Sequence, residues 1–527
     1  MSNQVFAVHP HNPRCFQYKG KPFKILTSAE HYGAVLNADF DYDVYLQEMQ
    51  RTGQNMTRIF TFYREKADSI SGPGDMNTLA PTPQASVMPW ERVSGQGKAA
   101  DGLDKFDLKR WNTFYFERLK DFVRKCADHG VVCEITLFCN PYDQTKYDMF
   151  PCSTVSNVNG VGNGLDIPQA FMTLDAPSIF QEQFVRQIVE ELNAFDNVYY
   201  EICNEPNIYG DSSEENEKKI VAWHAHLARI IRQTEEKLPK RHLIAANAHF
   251  VVKVSDEPLP EFWRIWLPIV RHEDVSYFEN PDIDIINYHY ISRKRVAQGL
   301  HFFNPPNKEA YAGLIWHFLR QRDQFYKPIV FDETYSGIVR GAPERYAINR
   351  AEAWEMLLSG GAGYNNLDWS FTQSDETGSG KVPIGDGRIL DGRCLREWFC
   401  IFRRLLDKYD LATLVPAIGL LPETIPGYGY AAAADNEDRY ILYFVDERLY
   451  RLEPCEPRKL AISLDLPSGR YMAQTFDPKT GVSIILPVIQ SDGTTMLELP
   501  SFMEDVVVTL DRISEVGSKE NYSFLFF

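Results

Sequence analysis

Short apolar runs alternate with longer amphipathic stretches from about residue 20 to residue 408. The runs Phe23–Ser28, Asn55–Phe60, Val131–Phe138, Val198–Cys203, His242–Asn247, Ile283–His289, Pro328–Glu333 and Gly363–Trp369 read as strands. Between them, helical spacing recurs. Asp41–Arg51 sets Val44, Leu46 and Met49 on one side, and Leu108–His129 carries Phe114, Leu119, Phe122, Val123 and Cys126 before Gly130. Ser178–Asn193 follows Pro177, Glu214–Leu238 stops before Pro239, and Pro343–Leu358 stops before Gly360-Gly361. Glycine is a frequent helix stop, and proline is tolerated only at the first turn. Strands alternating with helices predict a parallel sheet, and eight such units predict an α/β chain folded as a (β/α)8, or TIM, barrel.

Three further segments refine this outline. Val5–Lys24 reads as a hairpin turning at Lys19-Gly20, placed to plug the barrel floor. The connections 62–104 and 140–175 are long and follow predicted strands, so they would wall a cleft on the catalytic rim. After residue 409 the period changes to short strands: Gly429–Ala434, Tyr440–Val445, Leu460–Leu464, Arg470–Phe476, Val482–Pro487, Thr495–Leu499 and Asp505–Leu510. Turns such as Pro467-Ser468-Gly469 and Ser491-Asp492-Gly493 separate them. That pattern predicts a small all-β sandwich over 409–527, behind a barrel domain spanning 1–408.

Composition narrows the function. The 527 residues are too many for one ordinary domain, and a 44% hydrophobic share gives ample core. A formal charge of −17 repels phosphate backbones and anionic headgroups, so neither nucleic acid nor membrane is an expected partner. Solubility alone would also account for that charge. The nine cysteines include no C-x-x-C pair and read as reduced core thiols. The start Met1-Ser2-Asn3-Gln4-Val5-Phe6-Ala7 lacks a basic, apolar leader, and no apolar stretch reaches membrane-spanning length. A cytoplasmic location is the expectation.

Chemistry concentrates at two strand ends. Tyr200-Glu201-Ile202-Cys203-Asn204-Glu205-Pro206 ends the fourth predicted strand, and Ile329-Val330-Phe331-Asp332-Glu333-Thr334 ends the seventh. A carboxylate closing a buried strand is costly without a task or a partner. In a closed barrel both ends face one opening, and two carboxylates there suit glycosidic cleavage. Arg58 ends the second strand, with a surface ion pair as its plainer reading.

In these positions the chain resembles the clan A glycoside hydrolases, the superfamily of the family five cellulases and mannanases. The resemblance implies Glu205 as general acid/base and Glu333 as nucleophile of a retaining β-glycosidase. It implies that Arg58 lies beside the nucleophile and that Asn204 bonds the sugar 2-hydroxyl, and it makes Trp369 the floor under the sugar. Burial and the charge of Glu333 would then keep Glu205 protonated near neutral pH. The clan's His-x-Tyr on strand six is matched by His289, but Ile291 stands where the tyrosine belongs, leaving Tyr288 or Tyr290 as substitutes. Glu30, His31, Tyr32 and His249 follow strands one and five and are candidates for lining the sugar site. A carbohydrate substrate is implied, with no metal or organic cofactor.

Two rivals stand beside this reading. A metal-dependent amidohydrolase barrel would draw on His31, His249, His289 and Asp368, although Glu30-His31-Tyr32 is not the His-x-His expected on strand one. The other is a carbohydrate-binding barrel without activity.

Overall fold

The computed structural model describes residues 4–66, 77–163, 171–172, 174, 178–206, 214–248, 250–251, 272–273, 276–289, 314–320, 323–334, 346–379, 392–422, 425–436, 438–451 and 453–513. Eight strands form one parallel sheet: β1 (Ile25–Ala29), β2 (Met56–Phe60), β3 (Val132–Cys139), β4 (Val198–Asn204), β5 (Leu243–Asn247), β6 (Ile285–His289), β7 (Ile329–Thr334) and β8 (Gly363–Leu367). Neighbours follow chain order from β2 to β8, and β8 pairs with β1. The remaining seam, between β1 and β2, is closed by side chains. Asn55 accepts from the Leu26 amide at 2.9 Å and donates to the Lys24 carbonyl at 2.8 Å. Gln54 accepts from the Ser28 amide at 2.9 Å, and the Thr27 hydroxyl donates to the Met56 carbonyl at 2.7 Å. These bonds satisfy backbone groups that a missing ladder would leave unpaired.

The N-terminal segment forms strands Ala7–His9, Asn12–Tyr18 and Lys21–Phe23, and its turn puts Lys19 and Gly20 at positive φ. Phe6 is fully buried against Phe16, Tyr199 and Phe23, with ring centroids at 4.7, 5.4 and 5.6 Å. The same cluster takes Ile25, Met56, Val132, Ala245, Ile285 and Val330 from the strand starts. The hairpin therefore plugs the barrel floor, as its sequence suggests.

Helix α1 (Tyr42–Arg51) is capped by Asp41, which accepts from the Asp43 amide at 3.0 Å. Helix α2 (Thr113–Asp128) begins later than its apolar spacing suggests. Leu108–Trp111 belongs instead to a strand, Asp104–Trp111, paired antiparallel with Trp90–Lys98. Asn112 stops the strand and caps the helix, accepting from the Phe114 amide at 3.2 Å. The long connection after β2 thus carries a hairpin. Helices α3 (Ser178–Leu192), α4 (Glu214–Glu235) and α5 (Tyr346–Leu358) match the remaining amphipathic stretches, positions 343–345 of the expected Pro343–Leu358 helix lying outside the described residues, and α6 (Arg393–Leu406) is a further helix. Among the described residues, no helix is long and apolar enough to cross a membrane.

The C-terminal region is a sandwich. Tyr428–Asp435, Arg439–Asp446, Asp505–Arg512 and Gly469–Phe476 are consecutive neighbours in one antiparallel sheet. Arg458–Leu464 pairs with Thr495–Phe502 in a separate pair, and Leu442, Phe444, Ile462, Leu464, Leu497 and Val508 share the core between the layers. The sheet's other face joins the barrel core. Trp354 of α5 stacks on Phe402 of α6 at 3.5 Å and on Tyr443 of the sheet at 5.6 Å. Beside it, the buried Arg350 donates to both Asp505 oxygens at 2.8 Å. All nine cysteines are free thiols, six of them buried, as their scattered spacing implies.

Candidate active site

The barrel interior changes character one layer above the floor. Side chains two residues apart share a strand face. Two residues beyond Met56, Val132, Tyr199 and Ile285 stand Arg58, Glu134, Glu201 and Asn287, all fully buried. An apolar floor thus carries an ionic second layer. Arg58 is its centre. It donates to Glu333 Oε2 at 2.8 Å and to Asn204 Oδ1 at 2.8 Å, and it reaches Glu201 Oε2 through Nε at 3.1 Å and through Nη2. Asp332 lies 3.5 Å from the same guanidinium. The Tyr32 ring covers the guanidinium at 4.8 Å.

Burial disfavours these charges, and each is answered differently. Arg58 loses from desolvation, but Glu201, Asp332 and Glu134 hold its proton firmly. Burial, then Glu201 and Asp332, push Glu134 well above the usual carboxylate range. It accepts from Asn287 at 2.6 Å, and the same amide donates to Glu201 at 3.0 Å.

Asp332 and Glu333 are consecutive yet reach the same guanidinium. Strand alternation alone would send them to opposite faces. The register explains the exception. Asn287 pairs with Val330 but His289 with Glu333, so β7 holds one extra residue there. A bulge of this kind re-aims side chains, here turning Asp332 and Glu333 into one site.

Glu205 follows β4 in a left-handed backbone conformation, φ 45°. Its carboxyl accepts from the Tyr142 hydroxyl at 2.7 Å and meets His289 Nδ1 at 3.0 Å. The other ring nitrogen of His289 faces Asp332 at 3.3 Å. One carboxylate oxygen of Glu205, one ring nitrogen of His289 and one oxygen of Glu333 lie within 4.8 Å of one another. The two glutamates that the sequence places on different strands therefore converge.

Their protonation differs from the expectation. Burial pushes the Glu205 carboxyl up, but the hydrogen bond and charge of His289, the Tyr142 hydroxyl and Arg58 together hold it below the ordinary value. Burial pushes His289 down, but Asp332 and Glu333 raise it well above its ordinary value. The proton expected on Glu205 therefore rests on His289, which donates to carboxylates on both sides. Sequence reasoning misses this because it sees burial and Glu333, but not the two donors.

The remaining candidates take distinct places. The Asn204 amide donates to the Tyr142 hydroxyl at 2.8 Å and toward Cys139 Sγ at 3.4 Å. Trp369, just past β8, is half-buried, and its ring lies 3.9 Å from that of His31. His31 bonds Asn77 at 2.7 Å, and burial lowers its pKa. Tyr32 adopts φ 61°. Glu30 does not face the site: it closes its own turn, accepting from Gly33, Ala34 and Thr78, and burial raises its carboxyl to about 7. Tyr288 packs on the outer, helix-facing side, in the apolar cluster shared with α4. Tyr290, Ile291 and His249 lie outside the described residues.

Sequence reasoning misses Tyr142, Glu134, Glu201 and Asp332. The two glutamates had a signal, since each interrupts an apolar strand two residues after a floor position. Tyr142 follows Asn140-Pro141 at the end of β3, much as Glu205 follows Asn204 at the end of β4.

Metal ligation can be weighed from the donor set. Glu201, His289 and Asp332 form one compact triad, and Glu205, His289 and Glu333 form another. Arg58 already supplies the positive charge to Glu201, Asp332 and Glu333. His31 and Asp368, which an amidohydrolase would need, belong to neither triad. Asp368 instead accepts from Arg396 at 2.5 Å, from Ser28 at 3.0 Å and from Ser370 at 2.6 Å.

Comparison with known proteins is consistent with this fold. A model for a domain of unknown function (DUF6298) matches residues 81–205. No curated protein matches. Among solved structures, a glycoside hydrolase family 5 protein from Bacteroides vulgatus ATCC 8482 superposes with a TM-score of 0.57 at 15% identity, covering 97% of this chain and 94% of the other. Another, described as a glycoside hydrolase, gives a TM-score of 0.58 at 13% identity, covering 97% of each chain. The chain thus has the fold of these glycoside hydrolases over nearly its whole length, barrel and sandwich together.

Proposed function

We propose that this protein is a retaining β-glycosidase. The observation that carries the reading is the approach of a Glu205 oxygen and a Glu333 oxygen to within 4.8 Å. Retaining enzymes hold their carboxyl groups at about 5–5.5 Å, whereas inverting enzymes separate them by about 6.5–9.5 Å to admit a water. Arg58 donates to Glu333 at 2.8 Å, a contact that favours the charged carboxylate a nucleophile needs. Glu205 has a proton source beside it in His289.

In the proposed cycle a β-glycoside enters with its anomeric carbon over Glu333. The proton on His289 passes along the 3.0 Å bond to Glu205, and Glu205 delivers it to the departing glycosidic oxygen. The C–O bond breaks as a Glu333 oxygen bonds the anomeric carbon, giving a covalent ester. Glu205, again an anion, then takes a proton from water, whose oxygen replaces Glu333 and restores the original configuration. The Asn204 N–H now directed at Cys139 is the donor left for the sugar 2-hydroxyl. Trp369 offers its indole to the C–H face of the sugar.

The test is a screen of aryl β-glycosides, followed by trapping with a 2-fluoro sugar and peptide mapping. The label is expected on Glu333. Glu333→Ala should lower turnover by at least about a thousandfold, with partial rescue by azide. Glu205→Ala should spare glycosylation by substrates with good leaving groups and slow deglycosylation. Normal kinetics in either variant would contradict the assigned roles.

A further inference from the structure

The rim of the site is a run of touching side chains. Trp369, after β8, lies against His31 at 3.9 Å between ring centres. His31 bonds Asn77 at 2.7 Å, Asn77 donates to Glu65 at 2.8 Å, and Tyr63 donates to Glu65 at 3.0 Å. The Tyr63 ring meets that of Tyr142 edge-on at 6.1 Å, and Tyr142 donates to Glu205. The run therefore passes over the ends of β8, β1, β2 and β3 before reaching the acid/base on β4.

This wall is anchored from behind. His31, Asn77, Glu65 and Tyr63 are buried, while Trp369 and Tyr142 keep some exposed surface. Segment 77–80 is clamped onto the turn after β1. Thr78 accepts from the Asn37 amide at 3.2 Å, its hydroxyl donates to Glu30, and the Glu65 amide donates to the Leu79 carbonyl at 2.8 Å. Gly33 allows the contact, since a Cβ there would stand 2.3 Å from the Thr78 carbonyl carbon. Such a wall yields to substrate only at the cost of several buried hydrogen bonds.

Its position has a direct chemical meaning. The acid protonates the leaving oxygen, so the aglycone departs on the β4 side, past Glu205. Any further sugar on the glycone side must extend the opposite way. In a ring of eight strands the position opposite β4 is β8, where Trp369 stands with His31 of the neighbouring β1 end against it. The geometry points to a pocket walled off on its β8–β1 side that accepts one terminal sugar, so that the enzyme removes single residues from non-reducing ends rather than cutting within a chain. This inference rests on the retaining glycosidase reading and adds the direction and length of its substrate.

The experiment uses the full chain and the aryl monosaccharide glycoside that the screen selects, together with the matching aryl disaccharide, with and without a 4,6-benzylidene block on its terminal sugar. The expected result is prompt aryl release from the monosaccharide, a lag with free monosaccharide as the early product from the disaccharide, and loss of hydrolysis on blocking. Prompt release of intact disaccharide, with the fluoro sugar still labelling Glu333, overturns the pocket and leaves double displacement standing. Failure to label Glu333 at all overturns both.

Discussion

At the scale of single residues, the site is governed by one shared proton. Glu205 is depressed and His289 raised, so near neutrality the pair holds its proton on the imidazole. Such a pair titrates as a unit. Among the described residues, the charged groups facing His289 include Glu205, Asp332, Glu201 and Glu333, with Arg58 behind Asp332. The alkaline limb of kcat/KM should therefore report loss of the pair's last proton. In His289→Gln that proton must sit on Glu205 alone, and the limb should move acidward by about one pH unit or more. An unmoved limb would refute the arrangement. Stability follows with defined sign. His289, raised, contributes stability that is complete below 6.5 and is lost as pH rises through its folded value. Glu205, depressed, contributes stability present above 4.5 and lost as pH falls through its folded value. The difference in Tm between wild type and His289→Gln should peak between those values and shrink on the alkaline side.

At the scale of elements, the barrel is completed by side chains where its ladder stops. Asn55 serves both the Leu26 amide and the Lys24 carbonyl. Asn55→Ala should destabilise by about 1–3 kcal/mol, the cost of leaving buried backbone groups unpaired, measured as a lower urea midpoint at constant slope. A change within error would mean that the seam is held elsewhere. Much of this level is legible in the sequence. The eight strands announce themselves as short apolar runs set between amphipathic stretches, and the floor hairpin because Lys19-Gly20 suits a tight turn. Two features are hidden. Leu108 has helical neighbours at the right spacing, so only pairing with Trp90–Lys98 shows that it lies in a strand. Asp332 looks outward by alternation, and only the extra residue in β7 brings it to Arg58. Pairing register and bulges depend on partners distant in the chain, which local pattern does not encode.

At the scale of the whole molecule, barrel and sandwich share one core. Arg350, on barrel helix α5, bonds Asp505 of the sandwich in a fork, and Tyr443 donates to the same carboxylate at 2.8 Å. The joint is buried on both sides. Removing one partner strands the other's charge, so Arg350→Ala should cost about 3–5 kcal/mol in chemical denaturation, while Arg350→Met with Asp505→Leu should recover much of it. Independent unfolding of the two parts in wild type would refute that coupling. The same joint packs α5 and α6 between β8 and the sandwich sheet.

Tyr32, Tyr142 and Glu205 share a backbone region that side chains with a Cβ seldom occupy, at φ 61°, 60° and 45°. Each such residue stores on the order of 1–2 kcal/mol. The mouth is thus held against the grain of its own chain. A mutant library sorted only for heat resistance should drift first at these three positions, gaining glycine or asparagine there. Its survivors would be tougher proteins with a silent barrel.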